Sequence, residues 1–288
     1  MAGSNPVFSR IDKQLDQQPY AGFGQPQQQQ QPQQWSQTGP TAYQDQLSAD
    51  QLERMYQQPP AGPVAMGRVT FDDVIMKTLG LFALLVVVAG VSWAVTAGSP
   101  GLTTPVWLLG MFGGLAVGLA IAFMKKVSVP LIVTYAVLEG AFVGAFSRVM
   151  EQAYPGIVVT AVLATLCTFA GMFLGYKTGL VKVTNKSRRI FGFAIMGYLL
   201  FSLVNVFALF LGLTTGWGFG GSGLLGIGIS LLGVGLASYS LAIDFDSIDH
   251  AVRVGAPERF SWLLAHGLIV SVVWLYLEIV RLLARMRD

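Results

Sequence analysis

Charge is what this sequence has least of. Only 11% of its 288 residues are Asp, Glu, Lys or Arg, less than half of the roughly 25% usual in a soluble domain. Between Leu79 and Leu283 the charges come in short clusters, separated by apolar runs long enough to cross a bilayer. A compact soluble protein could not bury that much apolar surface, and a mean hydropathy of +0.58 agrees. Cysteine is nearly absent. Cys167 stands alone inside an apolar run, which excludes an intrachain disulfide, and with only His250 and His266 there is no zinc-type ligand cluster. No apolar stretch precedes Val74, so no cleavable secretory signal is expected.

Enzyme signatures are missing as well. Intramembrane proteolysis would need a serine with a histidine, aspartates on two facing spans, or H-E-x-x-H. His266 lies one turn into the last apolar run with no serine or cysteine motif around it, and no phosphate-binding glycine loop or cofactor signature is found. Neither catalysis nor a cofactor is therefore expected. The net charge of +3 and the pI near 9.0 do not point to nucleic acid. The basic residues sit at the ends of apolar runs, where they set topology, and not on a face that tracks phosphates.

What is present divides in two. Residues 1–66 are polar, and from Gln14 to Pro63 Gln and Pro dominate, with the run Gln27 to Gln31 and no aliphatic periodicity. Such a segment cannot bury enough surface to offset its chain entropy and is expected to be a disordered tail. Residues 67–288 read as an all-α transmembrane domain of seven spans: about Val74–Ala97, Pro105–Met124, Ser128–Ser147, Gly156–Tyr176, Ile190–Leu213, Leu224–Asp244, and a seventh from Trp262–Gly267 to Leu283. Six spans plus a re-entrant segment is the alternative.

Basic residues orient the spans. With the N-terminus in the cytoplasm, inner loops carry Lys125, Lys126, Lys177, Lys182, Lys186, Arg188, Arg189, Arg253 and Arg259, and outer loops carry Arg148 alone. Arg285 and Arg287 then fall outside, against the trend. Glycines at Gly110, Gly114 and Gly118, at Gly140 and Gly144, and at Gly171 and Gly175 have the small-xxx-small spacing by which helices pack in lipid.

Acids inside the spans are the informative residues, because a charge at the bilayer centre costs about 2.5–3.5 kcal/mol or more. Glu139 lies near the middle of the third span and Glu278 well inside the seventh, while Asp244 is the deepest of Asp244, Asp246 and Asp249 at the end of the sixth. Asp244 and Asp246 point about 200° apart on a helix, so Asp244 is expected to face inward and Asp246 and Asp249 to be solvated. For Glu139 and Glu278 two readings stand: a protonated carboxyl making one structural hydrogen bond, or part of an ion or proton path. Arg281, three residues after Glu278, could pair with it on one helix face, which favours the structural reading.

Several segments, Glu139-Gly140, Ile243-Asp-Phe-Asp-Ser-Ile248, Gly255-Ala-Pro257 and Trp274-Leu-Tyr-Leu-Glu-Ile-Val-Arg-Leu-Leu283, resemble in order and placement the Bax inhibitor family of seven-span proteins. The likeness is to its bacterial YccA-like branch, and Ser4-Asn-Pro-Val-Phe8 is similar to that branch's actinobacterial members. The resemblance implies six helices around a central seventh, in a bacterial plasma membrane. It also implies a pair of acids, matching Asp244 and Glu278, that senses pH and gates a calcium leak, with a weak calcium transit site between them. A basic residue closing the second span, here Lys125 or Lys126, would latch the sixth-span acid. Departures from the pattern are Glu for Asp in the seventh span and Lys for Arg at the latch, which gives up a bidentate grip. The alternative it implies is a modulator of a membrane-bound protease or stress response, acting by protein contact and using the tail.

Overall fold

A computed structural model describes residues 67–124, 126–214 and 216–288, with the backbone alone at 210. The expected tail, residues 1–66, lies outside the described residues. Seven helices follow: α1 Phe71–Gly98, α2 Thr103–Phe123, α3 Val129–Ala153, α4 Ile157–Lys177, α5 Asn185–Phe210, α6 Leu224–Arg253 and α7 Phe260–Arg287. All seven are long and apolar enough to cross a membrane, α2 together with the turn before it. Among the described residues there is no strand, only an isolated bridge between Arg68 and Pro257.

Local chemistry sets the boundaries. Thr70 caps α1 by accepting from the Asp73 amide at 3.1 Å, with Asp72 and Asp73 in the first turn where the helix dipole favours anions. Ser99 and Pro100 end it. A reciprocal capping box between Thr184 and Ser187 starts α5 five residues before its expected beginning. Gly255, at φ 64°, supplies the left-handed turn that lets α6 end and α7 begin at Phe260.

The seventh helix is the centre of the bundle. In its most apolar stretch 72% of residues are buried, against 39% in α6 and 6% in α5. It packs on α1, α3, α4 and α6, burying Leu264, Ile269, Leu275 and Val280 among others. The outer helices turn large side chains such as Leu109, Val159 and Phe193 outward, as expected of surfaces solvated by lipid. Helix α5 is the least embedded and leans on α6.

Glycine spacing is used where α2 and α1 cross α3. A Cβ at Gly110 would stand 2.7 Å from the Phe142 amide nitrogen, and one at Gly140 would stand 2.7 Å from the Leu85 carbonyl oxygen. The third pair behaves otherwise. A Cβ at Gly171 would meet nothing within 4 Å, and one at Gly175 would meet Val181 of its own following loop. The expectation that Gly171 and Gly175 pack a helix pair is thus corrected.

The two ends differ in charge. At one end lie the basic loops; there the segment before α1 is tied to the α6–α7 turn by Val69 N donating to Ala256 O (2.8 Å), and α1 to the start of α7 by Lys77 donating to Ser261 (2.7 Å). At the other end Arg285, 5% exposed, donates to Ser230 Oγ at 2.9 Å and to the Gly226 carbonyl. Arg287 donates to the Pro155 carbonyl at 2.9 Å. Asp288 accepts from Tyr154 and Trp217, which holds its carboxyl below the usual range. The C-terminal arginines that contradicted the charge bias are therefore occupied by packing.

Candidate functional site

A cavity of about 640 Å³ opens within the bundle, walled by α2, α3, α5, α6 and α7. Its polar lining comes from Tyr135 and Glu139 on α3, Ser240, Asp244 and Ser247 on α6, and His266 and Ser271 on α7. Helical rise puts the two acids and Ser271 at one level. Glu139 is about 15 Å into α3 from the basic end, Asp244 about 14 Å from the end of α6, and Ser271 about 16 Å into α7. That is the middle of a hydrocarbon core about 30 Å thick.

Each group is placed by small neighbours. Gly114 leaves the space that Glu139 fills, since a Cβ there would approach Glu139 Oε2 to 3.0 Å. Gly118 does the same for the Tyr135 ring, at 3.2 Å. Tyr135, one turn before Glu139, interacts with its carboxyl and meets the His266 ring edge-on, with centroids 4.5 Å apart. Asp244 accepts a hydrogen bond from Ser271 of α7 and lies beside Gly267. The carboxyls of two helices and an imidazole of a third thus share one cavity. Among the described residues no group of three or more His, Cys, Asp or Glu is gathered closely enough to hold a metal ion.

Glu278 lies elsewhere. Because α7 starts at Phe260, Glu278 is about 27 Å along it, in the half of the bundle away from the basic loops. The expected meeting of Asp244 with Glu278 is corrected accordingly: Ser271, the partner of Asp244, is two turns before Glu278 on the same helix. Glu278, 2% exposed, is instead enclosed by its own set. It accepts from Tyr198 Oη at 2.7 Å, from Trp274 Nε1 at 3.1 Å and from Arg281 at 3.0 Å. Arg281 also donates to Tyr198 at 3.0 Å. A Cβ at Gly233 of α6 would strike the Glu278 carboxyl at 2.6 Å, so α6 is cut away there to admit it. The anticipated pairing of Arg281 with Glu278 is present.

The basic candidates sit differently from expectation. Lys125 lies outside the described residues. Lys126 is exposed, borders a crevice with Ile132 and Phe260, and is absent from the ion pairs of the described residues. At the basic end it is Arg188, in the first turn of α5, that pairs with a sixth-helix acid, Asp246. Tyr176 of α4 donates to Asp246 at 3.2 Å and to Asp249 at 3.4 Å, and Arg253 pairs with Asp249. Asp246 and Asp249 are thus tied into a network joining α4, α5 and α6, not simply solvated.

Sequence reading missed Arg188, Tyr135, Tyr198, His266 and Ser271 as site members. Two signals were available: Tyr135 with Glu139, and Gly267 with Ser271, are both i,i+4 pairs on one helix face. Tyr198 and Arg188 gave none, since their partners are more than fifty residues away.

No curated protein matches the chain. A family model described as Bax inhibitor 1 like does, over residues 5–288. With seven spanning helices, a buried seventh and acids held inside the bundle, the chain belongs to the Bax inhibitor 1 like family.

Proposed function

We propose that the protein is a pH-responsive cation leak, with calcium the favoured ion, and that the ion passes through the cavity between α3, α6 and α7. The observation that carries this reading is that Glu139 and Asp244, from different helices, face one 640 Å³ space at mid-membrane depth. Carboxylates there cost free energy without a use, and oxygen ligands are what calcium takes. Ionised, the two acids attract a cation; with so few ligands they hold it weakly enough to release it.

The gate in this reading is α5. Phe191 and Ile195 close one side of the cavity, and this helix is the least embedded. Its basic end is held by Arg188 on Asp246, beside the Tyr176 hydroxyl. Loss of the Asp246 charge would leave Arg188 without its partner, and α5 is then free to swing from the cavity. This assigns to Arg188 the latch role expected of Lys125 or Lys126. The membrane is the bacterial plasma membrane, with the N-terminus and the basic loops in the cytoplasm.

Calcium flux into liposomes carrying the purified full chain, measured from pH 5 to 8, tests it. Flux should fall as pH falls, because protons taken up by the cavity acids remove the charge that draws the cation. Asp246→Asn and Arg188→Gln should leak at every pH, while Asp244→Asn and Glu139→Gln should lower flux at every pH. A protein that passes no cation at any pH, or flux indifferent to all four changes, would leave the reading of a protease or stress-response modulator in its place.

A further inference from the structure

A second depression lies on the other side of the central helix. It has a volume of about 340 Å³ and runs between α1 and α4, over a floor of α3 and α7. Its walls are apolar: Phe82, Val86 and Trp93 on α1, Val162 and Leu166 on α4, with Tyr276 beneath. Val86 and Leu166 are about half exposed, so the groove is open along its length. The hydroxyls on its floor are already satisfied. Ser147 Oγ and Tyr276 Oη lie 2.6 Å apart, and Thr165 donates to its own helix at 2.7 Å. Nothing polar is left to recognise a polar occupant inside the groove. From Phe82 to Trp93 it extends about 16 Å along α1, the length of a hydrocarbon chain lying along a helix in one leaflet.

One end of the groove is charged. Arg148 of α3 stands over the Trp93 ring, 6.0 Å from its centroid. Its Nε is buried and has no hydrogen-bond partner. Among the described residues no carboxylate pairs with it. Glu151, one turn on, is committed to the amides of Gly156 and Val158 at 2.6 and 3.1 Å. Trp93 and Arg148 are each five residues from the end of their helix, about 8 Å. That is the depth where tryptophan and arginine meet lipid headgroups.

We propose that this groove binds one phospholipid of the leaflet opposite the basic loops. An acyl chain occupies the space between α1 and α4, and the phosphate is held by the Arg148 guanidinium, which offers paired donors to phosphate oxygens. The lipid seals α1 to α4 across a gap that their side chains do not close. The site is separate from the acid-lined cavity and stands whether or not that cavity conducts.

Native mass spectrometry of the full chain in detergent, titrated with phosphatidylglycerol, tests the proposal. One lipid should remain bound to the wild type. Diacylglycerol with the same chains, which lacks the phosphate, should bind about tenfold more weakly, the loss expected from a charge-assisted contact. Arg148→Gln should weaken phosphatidylglycerol by a similar factor, and Arg148→Lys, which keeps the charge but not the paired donors, should fall between the two. Gly90→Leu, at a groove position where an added Cβ meets no atom within 4 Å, should displace the lipid while leaving the fold intact. Arg287→Gln, a basic change at the same end of the bundle, should have no effect. Equal retention of the two lipids, equal loss in Arg287→Gln, or displacement by inorganic phosphate alone would overturn it.

Discussion

Glu278 shows how a carboxyl inside a bundle is satisfied by donors of the bundle itself. Three donors from two helices converge on it, and the Arg281 stem carries its charge outward, leaving that side chain 40% exposed. Removing one partner of such a pair strands the other charge, a loss of about 3–5 kcal/mol for fully buried pairs. With Arg281 partly solvated and two donors remaining, Arg281→Met should cost on the order of 2 kcal/mol, read as a lowered midpoint of thermal unfolding in detergent. Adding Glu278→Gln to that change should recover part of the loss, because no stranded charge remains; a double variant less stable than Arg281→Met would refute the structural role. The contrast with Glu139 and Asp244 is one of surroundings. Those acids border open volume, whereas Glu278 is packed on every side.

At the scale of helices, the sequence was legible wherever a lipid-crossing run imposes length and apolarity. The seven spans lie within a few residues of their expected positions at most ends; α3 runs six residues past Ser147, to Ala153, and two other exceptions have local causes. Helix α5 starts early because Thr184 and Ser187 cap it, and α6 runs nine residues past Asp244, to Arg253, because its acids are paired there and need not end the helix. What spacing alone could not give was which faces meet. Gly140 and Gly171 look alike in sequence, yet only the first abuts a neighbouring backbone. Gly140→Ala should therefore force α1 from α3 and cost about 1–3 kcal/mol. Gly171→Ala should stay within about 0.5 kcal/mol of wild type. Parallel unfolding curves of the two variants check this, and equal effects would mean that the α1–α3 contact is not close. The register of α7 was equally illegible. A few residues' difference in its start moves Glu278 from the level of Asp244 to the opposite half of the membrane.

For the molecule as a whole, seven spans put the two ends of the described chain on opposite sides, and the charge bias is what assigns them. The bias is stronger than raw counting suggests. Arg285 and Arg287 are held by the Gly226 and Pro155 carbonyls, and Arg281 is bound to Glu278, so none of these stands as a free charge in a loop. Arg188 and Arg253 are likewise paired on their own side, but Lys182 is exposed in the loop before α5. Ser99, at the turn between α1 and α2, is exposed at the other end. Single cysteines at these two sites report sidedness directly, once the exposed Cys167 within α4 has been replaced by Ala. With the basic loops in the cytoplasm, Ser99→Cys should react with an impermeant maleimide in intact cells, and Lys182→Cys only after the membrane is permeabilised. The reverse pattern would invert the bundle and move the phospholipid site at Arg148 to the inner leaflet. Labelling of both positions from outside would break the seven-span count itself.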